Sequence, residues 1–592
     1  MRIARALLRS VRRARRAVAD LMPGGPGRAS RQAERDLTPR LLAQLPAGAP
    51  TTGPRVAVVI LNRDGVGHLR RLLPALESTA YSEFEIVLID NASRDGSVEY
   101  VRGFRTRHPL RIVENAENLS FSVANNSALQ HSDAELLLFL NNDVRPMEPH
   151  WLGWMVESVM TAGRSACGAR LVVPRRRIPR SKRAGMQGDL ELQHTGIQFV
   201  SIDGMPRPRN IGGPDPGAPG LVAVQEGAAA TAACLLIRRD AFIALGGFDP
   251  AYVYGYEDVD LCLRLRAGGG RILVDGRAVL WHDESSTRRR DHSTAAKVQQ
   301  RENRAVFYGR WGRSLFRDVL RDRLDARHFL STEPLSCGIA VSGEPSTQAV
   351  ALRDALTPKG WAADLLVTGQ TGWPGSADVV VAMDPRVDVR ELPRHVIKIA
   401  WVADGAESWV ATPWIDEFDL LLVGDEEALE AIRGRTSHVA HLVPPADGPI
   451  DAVAGAIEAA LRSWMETRRV GILVRADSWK GAAASSEYQM ARSLQREFER
   501  RGLPATVRFQ PSWKAAASTR DDLVIQFPEG EPLRRRPGQM GVLIVRDQSQ
   551  AVTGELNAPS EFVLAASDQA TDGDRVDEIL RLVDELQPAG AR

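Results

Sequence analysis

Cysteine and lysine are both scarce in this chain. Four cysteines occur in 592 residues, at positions 167, 234, 262 and 337. None forms a CxxC pair, so neither a zinc cage nor a disulfide framework is indicated, and a reducing compartment is the expected setting. Long apolar runs are missing too. No window approaches the ~18–20 uninterrupted apolar residues of a membrane-spanning helix, and the first residues lack the apolar stretch of a secretory signal.

What is present is ordinary globular composition, 44% hydrophobic and 25% charged, which excludes wholesale disorder and collagen-like repeats. At the usual ~100–200 residues per domain the length calls for three or four domains. The net charge of +2 hides an asymmetry. Residues 1–50 carry eleven arginines against three acids, net +8, which leaves −6 for the remainder. On a helix, Ile3, Leu7, Leu8, Val11, Ala14, Val18 and Leu21 form one apolar stripe with arginines across the other face. Residues 1–22 could thus lie on an anionic membrane surface, gaining about 1 kcal/mol per basic residue. A solvated basic arm or a partner contact fits the same pattern equally well. The mildly acidic body gives no reason to expect a nucleic-acid partner.

From Arg55 onward VAVVILN, FEIVLID and ELLLFLNNDV are continuous apolar runs of strand length, separated by segments of helical spacing. Such alternation reads as buried parallel strands in an α/β unit. Ligands of these sheets bind at the carboxyl ends of the strands. Asn62, Asp90, Asn91 and Asp143 fall there.

Six motifs then follow in order: VILNRDG, IDNASRDGS, NLSFSVANN, FLNNDV, GGFD and YEDVDLCLRL. Together they resemble the family 2 glycosyltransferases of GT-A fold. The segments QHTGI and HDES are similar to a branch common in bacterial envelope polysaccharide synthesis. The resemblance spans Arg55 to Gly312. It implies a nucleotide-diphospho-sugar donor and a glycan or lipid-linked acceptor.

The resemblance also implies roles for particular residues. Asp90 would bind the base or ribose, with Asn62, Asn91, Asn141 and Asn142 lining the same nucleotide-sugar site. An Asx turn explains Asp90 without any ligand. The diphosphate calls for Mg²⁺ or Mn²⁺, with Asp143 as principal ligand and His282 as a second. Without a ligand, FLNNDVRP is a strand ending in a turn and His282 is structural. The family usually shows Asp-x-Asp where this chain has Asn141, Asn142 and Asp143, so the site is one negative charge short. Asp258 would be the general base and Glu257 its reserve, giving inversion at the anomeric carbon. The bland reading is a set of acids complementing a helix dipole. His194 in QHTGI has no role that the sequence supplies, and Asp283 and Glu284 read as supporting residues. The Gly- and Pro-rich stretch 203–220 would cover the acceptor.

The second half repeats itself. Strand and helix patterns from Cys337 to about Ile432 recur from Val470, with Gly360 matching Gly502, Trp373 matching Trp513 and Phe418 near Phe562. Each copy reads as a Rossmann-like unit, and the pair resembles degenerate halves of GT-B transferases. Glu344, Asp404, Glu407 and Trp409 mark where a second site would lie, and binding of acceptor glycan or a partner protein is the reading preferred to a second activity.

The expected architecture is thus α/β. It comprises a basic segment and linker over 1–50, a GT-A domain over 51–312, a helical connection over 313–334, and duplicated Rossmann-like domains over 335–465 and 466–592. The expected activity is an inverting, metal-assisted glycosyltransferase in the cytoplasm, peripheral at the inner face of the plasma membrane. A noncatalytic sugar-nucleotide-binding or scaffold protein is the alternative, motivated by Asn141.

Overall fold

A computed structural model describes residues 43–585 except 164, 175–189, 203–204, 219, 284–293, 369–376, 394–395, 436–439, 445–447, 468, 476–484, 510–522, 528–539, 546–560 and 566–570. The basic segment over residues 1–22, Glu284, Trp373 and Trp513 therefore lie outside the described residues. The chain divides into two compact units. One runs to Gln198 and resumes over Pro208–Ala305, and the other takes Phe199–Arg207 and Val306 onward.

The first unit is built on apolar strands. Its elements begin β1 (Val56–Asn62), α1 (Val66–Glu77), β2 (Phe84–Asp90), α2 (Ser97–Gly103), β3 (Leu110–Glu114), α3 (Phe121–Asn126), β4 (Leu136–Asn141), β5 (Val144–Pro146) and α4 (Trp151–Thr161). There follow β6 (Ser165–Pro174) and β7 (Leu190–His194), then β8 (Ile197–Ile202) and β9 (Met205–Asn210), whose residues Phe199–Arg207 count with the second unit, then β10 (Val224–Glu226), β11 (Cys234–Arg238), α5 (Arg239–Ala244), α6 (Glu257–Ala267) and β12 (Arg271–His282). The main sheet has the order β10-β12-β6-β11-β4-β1-β2-β3, with β5 added to β12 and β7 to β6.

Strands β2, β1 and β4 run parallel, pairing Asn62 with Asp90 and Leu61 with Asn141. The strand order reverses between β1 and β4, the position where open α/β sheets bind ligands. One face of the sheet is covered by Leu69, Leu72, Leu73 and Leu76 of α1 and by Trp151, Leu152 and Met155 of α4. The opposite face carries Phe139, which meets Phe242 and Phe248 at centroid distances of 5.0 and 4.8 Å. Burial on both faces is why these strands read as unbroken apolar runs.

Helix α7 (Thr294–Leu324) is continuous through residue 312. The second unit then holds two parallel sheets. Over β13 (Leu335–Val341), α8 (Thr347–Leu356), β14 (Trp361–Val367), β15 (Val379–Ala382), β16 (Ile397–Val402), α9 (Ala406–Val410), β17 (Leu420–Val423), α10 (Glu426–Arg435), β18 (Ala440–Leu442) and α11 (Ile450–Glu466) the order is β14-β13-β15-β16-β17-β18. Over β19 (Val470–Val474), α12 (Ser486–Arg500), β20 (Ala505–Phe509), β21 (Leu523–Gln526), β22 (Met540–Val545), β23 (Glu561–Ala565) and α13 (Asp572–Glu585) it is β20-β19-β21-β22-β23. Both follow the doubly wound order 2-1-3-4-5, the first with one further strand.

The duplication extends to local signals. Ser346 and Ser485 each cap the first helix of their sheet, accepting the Ala349 and Tyr488 amides at 3.1 Å. Gly360 and Gly502 each take the left-handed conformation before the second strand, with φ of +83° and +75°. Trp409 is a core residue, buried against Phe418 at 5.9 Å between centroids, so its ring does not present a stacking face for a glycan. Asp404 precedes the short helix α9 and Glu407 lies in its first turn.

Candidate active site

The carboxyl ends of β1, β2 and β4 bring Asn62, Asp90 and Asn142 into contact. Asn62 is fully buried and central to them. Its Nδ2 donates to Asp90 Oδ1 at 3.1 Å and to Ser93 Oγ at 3.2 Å, while its Oδ1 accepts from Asn142 Nδ2 at 2.7 Å. Asp90 Oδ2 accepts the Ser93 amide at 2.9 Å, so the Asx turn is real. An ionised carboxylate has about four acceptor positions, of which these contacts take two. Gly65 permits this packing, because a Cβ there would collide with the amides of Asn142 and Asn62.

Asn91 differs. Its Oδ1 accepts from Asn115 Nδ2 and from the Leu119 amide, both at 3.0 Å, and its Nδ2 donates to Asn118 Oδ1 and the Leu119 carbonyl. All four hydrogen-bonding positions of the amide are engaged, and the side chain shapes the 115–119 turn.

Asp143 and His282 are 139 residues apart in sequence but meet in space, because β5, directly after Asp143, pairs antiparallel with the end of β12. His282 Nε2 lies 3.4 Å from Asp143 Oδ1. The imidazole's other nitrogen, Nδ1, lies 2.6 Å from Gln193 Oε1. Asp283, next in line, is bound by Arg71 at 3.1 Å and by Trp281 Nε1 at 3.0 Å, and its amide donates to the Asp143 carbonyl. A carboxylate oxygen facing an imidazole nitrogen is a donor pair that suits a divalent cation, with remaining positions left to phosphate oxygens and water. Among the described residues no group of three or more His, Cys, Asp or Glu could hold a metal by itself.

The three acids at the start of α6 separate sharply. Asp260 is fully buried and structural: Arg264 Nε binds it at 2.7 Å and Tyr252 donates to it at 3.2 Å. Glu257 is buried and turns back on its own loop, accepting the Gly255 amide at 2.5 Å. Asp258 is partly exposed. Its Oδ2 accepts the Ala232 amide at 3.2 Å and its Oδ1 the Val259 amide at 2.8 Å. Tyr256, just before, has φ +76°, a conformation that non-glycine residues rarely adopt and that clusters at functional sites. Removing one partner of a buried ion pair commonly costs about 3–5 kcal/mol. Asp260→Ala is accordingly expected to lower unfolding free energy by about that amount in a denaturant titration, and Asp258→Ala by much less.

Two further residues at this site were given no individual role by the sequence. Asn303 of α7, buried, donates to the Tyr254 and Gly255 carbonyls at 2.7 and 3.3 Å and accepts the Val253 amide at 3.4 Å. It holds the loop that delivers Glu257 and Asp258. Asn126 clamps the GGFD turn by exchanging hydrogen bonds with both backbone groups of Phe248.

His194 acquires a role. Its Nδ1 faces Asn210 Oδ1 at 3.1 Å and its Nε2 accepts the Thr231 amide at 3.5 Å, which pins the small-residue stretch that Asp258 also touches. Burial pushes its pKa down to about 4. The unfolded chain, with histidine near 6.5, therefore binds the extra proton between those values, and stability rises with pH there. Native stability is expected to be full above about pH 6.5 and to fall by up to ~3 kcal/mol as the pH drops toward 4. Chemical denaturation across that range should show a weaker slope in His194→Asn.

All four cysteines are buried and unpaired, and burial raises each thiol. No helix among the described residues is long and apolar enough to cross a membrane.

The family described as Glycosyl transferase family 2 matches residues 56–205. The chain is 29% identical to the O-antigen biosynthesis protein RfbC of Myxococcus xanthus over 40% of its own length and 18% of that protein. It is 28% identical to the N-acetylglucosaminyl-diphospho-decaprenol L-rhamnosyltransferase of Mycobacterium tuberculosis, over 44% of this chain and 88% of the other. An uncharacterized protein of Sinorhizobium fredii is 29% identical over 48% of this chain and 31% of its own. The match thus takes in less than a third of the lengths of RfbC and of the S. fredii protein. Among solved structures, a Pyrobaculum calidifontis mannosyltransferase in complex with GDP-Man and Mn²⁺ is similar at 18% identity and a TM-score of 0.31, over 49% of this chain and 72% of that one.

Proposed function

We propose that this chain, whose residues 56–205 are a glycosyltransferase family 2 domain, transfers a sugar from a nucleotide-diphospho-sugar to a hydroxyl of a cell-envelope glycan or lipid-linked acceptor, with inversion. The observation that carries the reading is the division of labour among the three acids of α6. Asp260 is neutralised by Arg264 and Glu257 caps its own loop, while Asp258 keeps solvent access beside a stretch of small residues.

In this reading Asp90 accepts hydrogen bonds from the base or ribose, held in place by Asn62 and Asn142. Asp143 and His282 hold a divalent cation with the donor diphosphate. When bound, Mg²⁺ or Mn²⁺ stabilises the negative charge developing on the departing nucleoside diphosphate. Asp258 removes the proton from the acceptor hydroxyl as its oxygen attacks the anomeric carbon. The hydrogen bond from the Ala232 amide orients that carboxylate, and His194 fixes the adjoining Thr231. The relatives named for O-antigen biosynthesis and for rhamnosyl transfer support an envelope glycan as destination.

The test is incubation of the full chain with a panel of nucleotide sugars and lipid-linked or glycan acceptors, with Mn²⁺ or Mg²⁺, following nucleoside diphosphate release and product mass. A second reading, noncatalytic binding of a sugar nucleotide, is favoured by Asn141 standing where the family has a carboxylate. Saturable donor binding without any turnover across the panel would support it and overturn the transferase reading.

A further inference from the structure

Gln193 was not singled out by any motif role, yet it touches the candidate cation site from across the sheet. Strand β7 pairs antiparallel with β6, and the register shifts between Leu171 and Val172, which face His194 and Leu192. Gln193 is therefore the extra residue of a β-bulge. Bulges commonly re-aim a side chain next to a site. Here the side chain reaches past β6 to the end of β12, where its Oε1 lies 2.6 Å from His282 Nδ1.

We propose that Gln193 is a positioning residue that fixes the tautomer of His282 and thereby makes it a cation ligand. The amide oxygen that faces the ring has lone pairs and no proton, so the contact is a hydrogen bond when Nδ1 carries the hydrogen and donates it. In neutral imidazole the lone pair then resides on Nε2. That atom faces Asp143 Oδ1 at 3.4 Å. Two lone-pair donors directed at each other gain from a cation between them, whereas the opposite tautomer would place an N–H against the carboxylate and fill the position. Ligating histidines are generally oriented in this way by a partner on the other ring nitrogen, and losing that partner typically costs 10–100-fold in metal affinity. Neighbouring Gln193 and His194 thus act on two different parts of the site, one on His282 and the other on Thr231.

The inference rests on the reading of Asp143 and His282 as cation ligands, and the experiment separates the two. Mn²⁺ binding to the full-length chain is titrated by electron paramagnetic resonance in the presence of UDP or GDP, for wild type, Gln193→Ala, Gln193→Glu and His282→Ala. Gln193→Ala is expected to weaken Mn²⁺ binding 10–100-fold, and Gln193→Glu, whose carboxylate still accepts from Nδ1, to restore it. In metal-free protein the ¹⁵N spectrum of labelled histidine should show His282 as the Nδ1–H tautomer in wild type and shift away from it in Gln193→Ala. Unchanged Mn²⁺ binding and tautomer in Gln193→Ala, with binding lost in His282→Ala, would overturn the role of Gln193 and leave the cation site standing. Wild-type protein that holds no Mn²⁺, or that holds it equally without His282, would overturn both.

Discussion

Asp258→Asn is expected to reduce turnover by about 10²–10⁴-fold, the usual contribution of a positioned general base, or about 3–5 kcal/mol of transition-state stabilisation. The substitution retains shape and keeps an oxygen for the Ala232 amide while giving up the acceptor for the Val259 amide, so donor binding should be nearly unchanged and the loss of stability small. The loss should appear in kcat, with the donor KM little affected. Glu257→Gln provides the contrast. Its carboxylate is buried and accepts the Gly255 amide, so its removal should act through the loop rather than through proton transfer. Turnover that survives Asp258→Asn undiminished would sink the assignment of the base.

The second large effect is expected from cation removal. Treatment with EDTA should lower transfer by at least ~10²-fold, since a Lewis acid at a leaving diphosphate contributes several kcal/mol, and added Mn²⁺ should restore it. Asp143→Asn should mimic chelation and resist restoration. The expectation follows from a site with few charges: Asn141 and Asn142 are neutral, leaving Asp143 as the carboxylate of that triplet, opposite His282 at 3.4 Å. Asn141→Asp, which adds the missing negative charge, should tighten Mn²⁺ binding. Full activity in EDTA would remove both residues from the mechanism.

Much of the site was legible along the chain because its residues sit at the ends of buried strands. VAVVILN, FEIVLID and LLLFLN announce themselves as apolar runs, and the polar residues that stop them are Asn62, Asp90 and Asn141. Parallel pairing then places Asn62 beside Asp90 and Asn141 beside Leu61, one residue out of step with them. The duplication was legible for a similar reason, since strand and helix patterns and glycines such as Gly360 and Gly502, left-handed in the structure, are local signals that recur at matching positions.

Other features were not legible. Asn91 stands in the same motif as Asp90, yet its amide is consumed by a turn some 25 residues on. Trp409, one of the residues marking where a second site would lie, is buried in the core. Three adjacent acids in GYEDVD are indistinguishable by type, and only their partners, Gly255, Ala232 and Arg264, assign them different work. Asn126 and Gln193 stood inside quoted motifs without a role and Asn303 outside any, because each acts on a segment about 50 to 120 residues away.

By itself the sequence determined the α/β class, the identity of the polar groups at the strand ends and the existence of two related units beyond them. Those properties depend on periodicity, strand-terminal position and short-range caps, which a linear chain records directly. The tertiary structure decided which carboxylate stays open to solvent, which histidine faces Asp143 and which amide holds it there. Such choices depend on hydrogen bonds between strands joined only by the sheet, and a sheet's long-range pairing, with its bulge at Gln193, is not written in any one segment.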